Sequence, residues 1–211
     1  MSDPQYNSNV FINCPFDALY RTNLHAIVFT VYSCSFKPIS ALSEDNGADN
    51  RLQKIQNLIE KSRYSIHDIS RTELNDKGFP RFNMPFEAGI FFGAKRFGDK
   101  DQKNKNALIF EKTKFTYQNY LSDLSGIDTK AHDNDPLAII KGIRDWLKTS
   151  SRRTTIPGHL TIIESFQKFQ AQLPATLAVM NLEMDTLPFN DLCLIVEEFL
   201  ITVMISKGNN L

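Results

Sequence analysis

Apolar positions along the chain fall into short runs separated by longer stretches with helical spacing, and this alternation sets the expected architecture. Val10 to Cys14 is a β-prone run stopped by Pro15, and Asp17 opens an apolar stretch of helical length through Tyr32. Lys37 to Leu42 is a second short run. After the polar loop Ser43 to Asn50, Leu52, Ile55, Leu58 and Ile59 share one helix face. Tyr64 to Ile69 predicts a third strand, followed by a polar loop with Gly78 and Pro80 and a helix beginning near Asn83. Ala107 to Phe110 predicts a fourth strand, Tyr117 to Leu124 a short helix or turn, and Leu137, Ile140, Ile143 and Leu147 an amphipathic helix. Strands alternating with helices imply an α/β domain whose parallel sheet, of four or five strands over about residues 8–148, is covered on both faces.

The composition changes at the SSRRTTIPG segment, 150–158, and only helical patterns follow. The expected division is therefore an α/β domain over 1–150 and a helical appendage over 151–211. Leu160, Ile163, Phe166, Phe169 and Leu173 mark one helix and Phe189 to Ile205 another. The second is apolar nearly all round, so it must be buried on more than one side. It packs either on the rest of the chain or against a second copy, and a homo-oligomer through the C-terminal helices is expected.

With 24 Lys+Arg against 24 Asp+Glu the formal charge is zero, so no global field draws the chain to nucleic acid or an anionic membrane. No sequence-specific nucleic-acid binding is expected. Cys14, Cys34 and Cys193 are odd in number and far apart, which fits a reducing compartment, the cytoplasm by default. Met1 to Asn9 lacks the basic start and apolar run of a signal peptide. Ala26 to Tyr32 is too short, and Leu192 to Ile205 too short and too charged at Glu197 and Glu198, to cross a hydrocarbon core of about 30 Å. No GxGxxG, GxxxxGK[ST] or GxSxG occurs where it would build a dinucleotide, NTP or nucleophile-elbow site, and the four histidines show no metal-ligand spacing.

Ligands of open parallel sheets lie beyond the C-terminal strand ends. The polar residues there are Asn13, Cys14, Pro15, Phe16 and Asp17 after the first strand, Glu44 and Asp45 after the second, and Asp68, Ser70 and Arg71 after the third. Asn83 and Glu87 open the next helix, and Glu111 and Lys112 follow the fourth strand. Asp68 and Glu87 facing one cleft supply the minimum apparatus for cleaving a glycosidic bond, with one carboxylate stabilising or trapping the oxocarbenium-like sugar while another group assists the leaving base. Each also has a purely structural reading, because Asp often ends strands and Glu in a first helical turn is favoured by the helix dipole.

VFINCPFD at 10–17, SIHDIS at 65–70 and NMPFEAGIFFGA at 83–94 together resemble the nucleoside 2-deoxyribosyltransferase-like and TIR-like superfamily. The resemblance covers roughly residues 8–148 and implies a flavodoxin-like sheet. It also implies cleavage or transfer at the N-glycosidic bond of a nucleoside, nucleotide or NAD, with NAD as first choice. The nucleotide is then substrate and no separate cofactor is implied. Many bacterial TIR-like members act in antiphage defence. By the same resemblance Glu87 is the catalytic glutamate that engages the ribose, Asp68 the acid or base-binding aspartate, and Pro15 with Phe16 the loop closing over the base or sugar. Ala88 stands where the family usually has Leu.

Phosphates need positive partners, and Arg51, Arg63, Arg71 and Arg81 fall in or near the expected rim. Phe16, Phe82 and Phe86 sit where a base could stack on them. The substrate-binding set is thus Pro15, Phe16, Asp17, Arg71, Asn83 and Phe86, around catalytic Glu87 and Asp68. Gly89 and Gly93 share a helix face, which would let that helix approach the sheet closely. Residues 120–133 form either a lid carrying Asp123 or His132 over the cleft or an ordinary connection. The competing function is a catalytically silent nucleotide-sensing or scaffold module that binds a protein partner through its helical tail.

Overall fold

The computed structural model describes residues 4–44, 46–71, 74, 77–79 and 81–208. Five strands form one all-parallel sheet: β1 (Asn9–Asn13), β2 (Lys37–Ile39), β3 (Tyr64–Asp68), β4 (Asn106–Glu111) and β5 (Thr129–Ala131). Their order is β2-β1-β3-β4-β5, the flavodoxin-like arrangement. Helices α1 (Arg21–Ser33), α2 (Arg51–Glu60) and α3 (Asn83–Phe97) connect the first four strands, and α4 (Pro136–Ser151), α5 (His159–Met180) and α6 (Phe189–Gly208) follow β5. Among the described residues no helix is long and apolar enough to cross a membrane.

Period-two alternation along each strand sorts residues between two cores. Val10, Ile12, Tyr64, Ile66 and Phe110 face the larger core with α1 and α4, whereas Phe11 faces the smaller one with Ile55, Leu58 and Ile59 of α2 and Phe91 of α3. The larger core continues without interruption into α5 and α6. Phe29 of α1 meets Phe166, Phe169 and Phe199 with ring centroids 5.5, 5.3 and 6.0 Å away. On α6, Leu192, Ile195 and Val196 are buried while Leu194, Ile201, Met204 and Ile205 remain exposed.

Local chemistry explains the boundaries. Asp17 caps a 3-10 turn, Ala18–Tyr20, so the helix expected from Asp17 onward becomes regular only at Arg21. Ser40 caps another, Ala41–Ser43, and ends β2 after three residues. Asn50 caps α2, and Asp135 caps α4 with Pro136 at its first position. Lys105 is fully buried and donates to the carbonyls of Ile59 and Ser62, closing the C-terminus of α2.

The expected close approach at Gly89 and Gly93 is not found, since a Cβ at either would meet nothing within 4 Å. The tight crossing is elsewhere: a Cβ on Gly142 of α4 would stand 2.9 Å from the Phe110 ring. Residues 120–133 hold a 3-10 turn, Ser122–Leu124, and the edge strand β5.

Candidate functional site

Strand ends β1 and β3 meet the start of α3 at the C-terminal edge of the sheet. On the α3 side, the Asn13 side-chain amide donates to His67 Nδ1 and to the Met84 carbonyl, both at 2.9 Å, which pins the first turn of α3 to the sheet. With Nδ1 accepting, the His67 proton resides on Nε2. Its ring packs edge-on against Phe11 and Phe91. Burial, with a smaller contribution from Lys105, drives its pKa down to about 3, so His67 is neutral.

Asp68 points to the opposite side and is fully buried. Its Oδ1 accepts from the Ser70 amide at 2.8 Å, and its Oδ2 accepts from the Tyr20 hydroxyl. His132 Nε2 stands 3.1 Å from the same oxygen, at ion-pair distance but off the line of a hydrogen bond. Because His132 Nδ1 accepts from the Asn134 amide at 3.0 Å, the imidazole proton lies on Nε2, on the Asp68 side. Burial, reinforced by the Asp68 charge, pushes the Tyr20 phenol well above its usual range, so it stays a donor. His132 is therefore not carried over the cleft by a lid. It is buried as part of the Tyr20–Asp68–His132 cluster, while Asp123 is exposed.

Glu87 is 7% exposed and has no hydrogen-bond or ion-pair partner among the described residues. Burial raises its pKa from 4.5 to about 7, partly offset by Arg51 at the start of α2. It lies just past the first turn of α3, which contains no acidic residue, so helix-dipole stabilisation there does not explain it. Cys14 is fully buried within electrostatic reach of both carboxyls. Burial first, and then the charges of Asp68, Glu87 and Asp17, push its thiol well above the usual range. That environment keeps it a thiol, not a nucleophilic thiolate.

Pro15 is buried and Phe16 is 37% exposed at the rim. Asp17 Oδ1 accepts from the Leu19 and Tyr20 amides and from Arg71 Nη2 at 2.9 Å, and Arg81 lies 4.0 Å from Oδ2. Asp17 and Arg71 thus brace two loops against each other, and a substrate phosphate reaches Arg71 only in competition with Asp17. Asn83, Phe82 and Phe86 are exposed where α3 begins.

Other strand-end candidates separate from this group. Arg63 lies at the opposite, N-terminal end of β3 and donates to Asn7 at 3.0 Å. Glu111 is buried and accepts from the amides of Phe115 and Tyr117 and from the Thr129 hydroxyl, so it shapes the β4–β5 connection. Lys112 is exposed and Glu44 half-buried; Asp45 lies outside the described residues. Among the described residues no group of three or more His, Cys, Asp or Glu side chains could hold a metal ion.

Sequence reasoning missed Tyr20, whose role depends on a cap and a tertiary contact, and it left His132 between a lid and an ordinary connection. Comparison of the chain with family models, with curated proteins and with solved structures found no match.

Proposed function

We propose that this chain cleaves or transfers at the N-glycosidic bond of a nucleotide, with NAD as first choice, and that it belongs to the nucleoside 2-deoxyribosyltransferase-like and TIR-like superfamily, whose bacterial members include antiphage defence proteins. One observation carries the reading: Glu87, a nearly buried carboxyl at the C-terminal edge of a parallel sheet, has no partner among the described residues, and burial pushes its pKa up to about 7. Such a group gains its missing interactions from a substrate, either by accepting from ribose hydroxyls or by stabilising positive charge at the anomeric carbon. Its ionised fraction rises through pH 7. Asp68 acts here as a positioning residue, because its oxygens are already engaged with Ser70, Tyr20 and His132. Phe82 and Phe86 offer faces for the base, and Arg71 and Arg81 offer charge for phosphate once Asp17 yields.

Glu87→Gln keeps the size and removes the charge. Incubation with NAD and a nucleoside panel, followed by product chromatography, is expected to show base release by the natural chain and a loss of about a hundredfold or more in the variant. Full activity in Glu87→Gln overturns the assignment.

The Asp17–Arg71 pair and the enclosed Asp68 favour a second reading, a nucleotide-sensing module that binds without cleaving; it predicts ligand binding with no base release. For assembly, the exposed apolar positions of α6 support a homo-oligomer through the C-terminal helices. The unpaired thiols, with Cys14 and Cys34 buried and Cys193 half-buried, support a cytoplasmic setting.

A further inference from the structure

A cavity of about 150 Å³ lies between α1 and residues 184–192, on the tail side of the loop that carries Phe16 and Asp17. Leu24, Leu42, Met184, Leu187 and Leu192 contribute apolar wall, Asp17 and Asp185 contribute carboxylates, and two further polar groups supply hydrogen-bond donors. One is Arg21, whose side chain is three-quarters buried and paired at 2.7 Å with Asp185, itself 82% exposed. The other is His25, 3% exposed. Its Nδ1 meets the Gln170 side-chain amide at 3.2 Å, so Nδ1 accepts and the proton lies on Nε2. No protein group among the described residues bonds that N–H, and His25 lines the cavity. Burial, together with Arg21, lowers the His25 pKa to about 4, which keeps the ring a neutral donor at physiological pH.

A volume of about 150 Å³ is large enough for a benzene ring. A guanidinium and an N–H donor on its wall select a ligand that brings acceptor oxygens with negative charge. We propose that this cavity is a second ligand site, separate from the Glu87 carboxyl, for a small monocyclic aromatic carboxylate. The ring lies against the Leu24, Leu42, Leu187 and Leu192 side chains. The carboxylate takes over Arg21 from Asp185, whose exposed side chain turns to solvent at little cost, and accepts from His25 Nε2. Asp17, also on the wall, is held by Arg71 and Arg81 and so offers the anion little repulsion. Phe16 and Asp17 belong both to this cavity and to the rim of the candidate site, so an occupant touches the loop that seats Tyr20 on Asp68.

The test is binding of benzoate, benzamide and acetate to the full chain, read by calorimetry and by saturation-transfer NMR. Benzoate is expected to bind in the millimolar range or tighter, benzamide more weakly, and acetate not measurably. Arg21→Gln should weaken benzoate by about tenfold and leave benzamide unchanged. Leu187→Trp, and independently Leu42→Trp from the other wall, should abolish binding of both rings while the melting temperature shows the chain still folded. Absence of benzoate binding at millimolar concentration, equal binding of acetate, an unchanged affinity in Arg21→Gln, or benzoate binding that survives a folded Trp variant overturns the proposal. None of these readouts depends on base release, so they stand or fall apart from the role of Glu87.

Discussion

Two buried carboxyls differ sharply in what surrounds each. Asp68 is fully enclosed, yet it accepts from an amide and a phenol and faces an imidazole N–H. Removing one donor should be costly where water cannot replace it: Tyr20→Phe is expected to lower unfolding free energy by about 1–3 kcal/mol in urea denaturation. Glu87 has no such shell, and its folded-state pKa of about 7 lies above the ordinary 4.5. Between these values the folded chain retains a proton that the unfolded chain has lost, so this group's contribution to stability falls as pH rises from about 4.5 to about 7. Glu87→Gln lacks that fall. Its denaturation curves should match the natural chain near pH 4 and exceed it by up to about 3 kcal/mol above pH 7. Coincident curves across this range would mean that Glu87 is not desolvated.

Elements differ in how much of themselves their residues reveal. α4 is legible from Leu137, Ile140, Ile143 and Leu147 and from the Asp135–Pro136 start, because its cap and apolar stripe are local. β5 is not, since Thr129, Lys130 and Ala131 are half-buried at a sheet edge and carry no apolar alternation. β2 was overextended because Leu42 reads as apolar strand when it is 42% exposed in a turn capped by Ser40. Within the candidate site, Glu87 and Asp68 were legible as residues at strand and helix ends. The Tyr20–Asp68–His132 cluster was not, because its members are 48 and 64 residues apart and no spacing announces them. Close packing was misplaced for a similar reason. Small residues at helical spacing suggested contact at Gly89 and Gly93, yet the space is open there and closed at Gly142. Gly142→Ala is therefore expected to cost about 1–3 kcal/mol, because the fully buried Phe110 ring cannot retreat, despite the better helix propensity of Ala. A Gly142→Ala chain as stable as the natural one in thermal melts would show that α4 can shift off β4.

At the scale of the whole molecule, the tail is built into the core on one side and left bare on the other. Leu192, Ile195 and Val196 of α6 are buried, and the Phe199 ring packs edge-on against Phe169 and tilted against Phe29. Leu194, Ile201 and Ile205, seven and then four residues apart, are 50%, 49% and 59% exposed on the remaining face. Beside them a groove of about 510 Å³ runs between α6 and the end of α1, with Tyr32, Phe36, Leu200 and Met204 along it and with Lys37 and Glu197 contributing opposite charges from different elements. In the proposed homo-oligomer a two-fold contact through this face would bring the apolar positions against their copies. Light scattering of the full chain at micromolar concentration is expected to give a dimer. Ile201→Glu places like charges near each other across the axis while leaving the buried side of α6 untouched, so it should give a monomer with a melting temperature within a few degrees of an equally dilute natural chain. A natural chain that is already monomeric, or an Ile201→Glu dimer of undiminished affinity, would move the contact off α6.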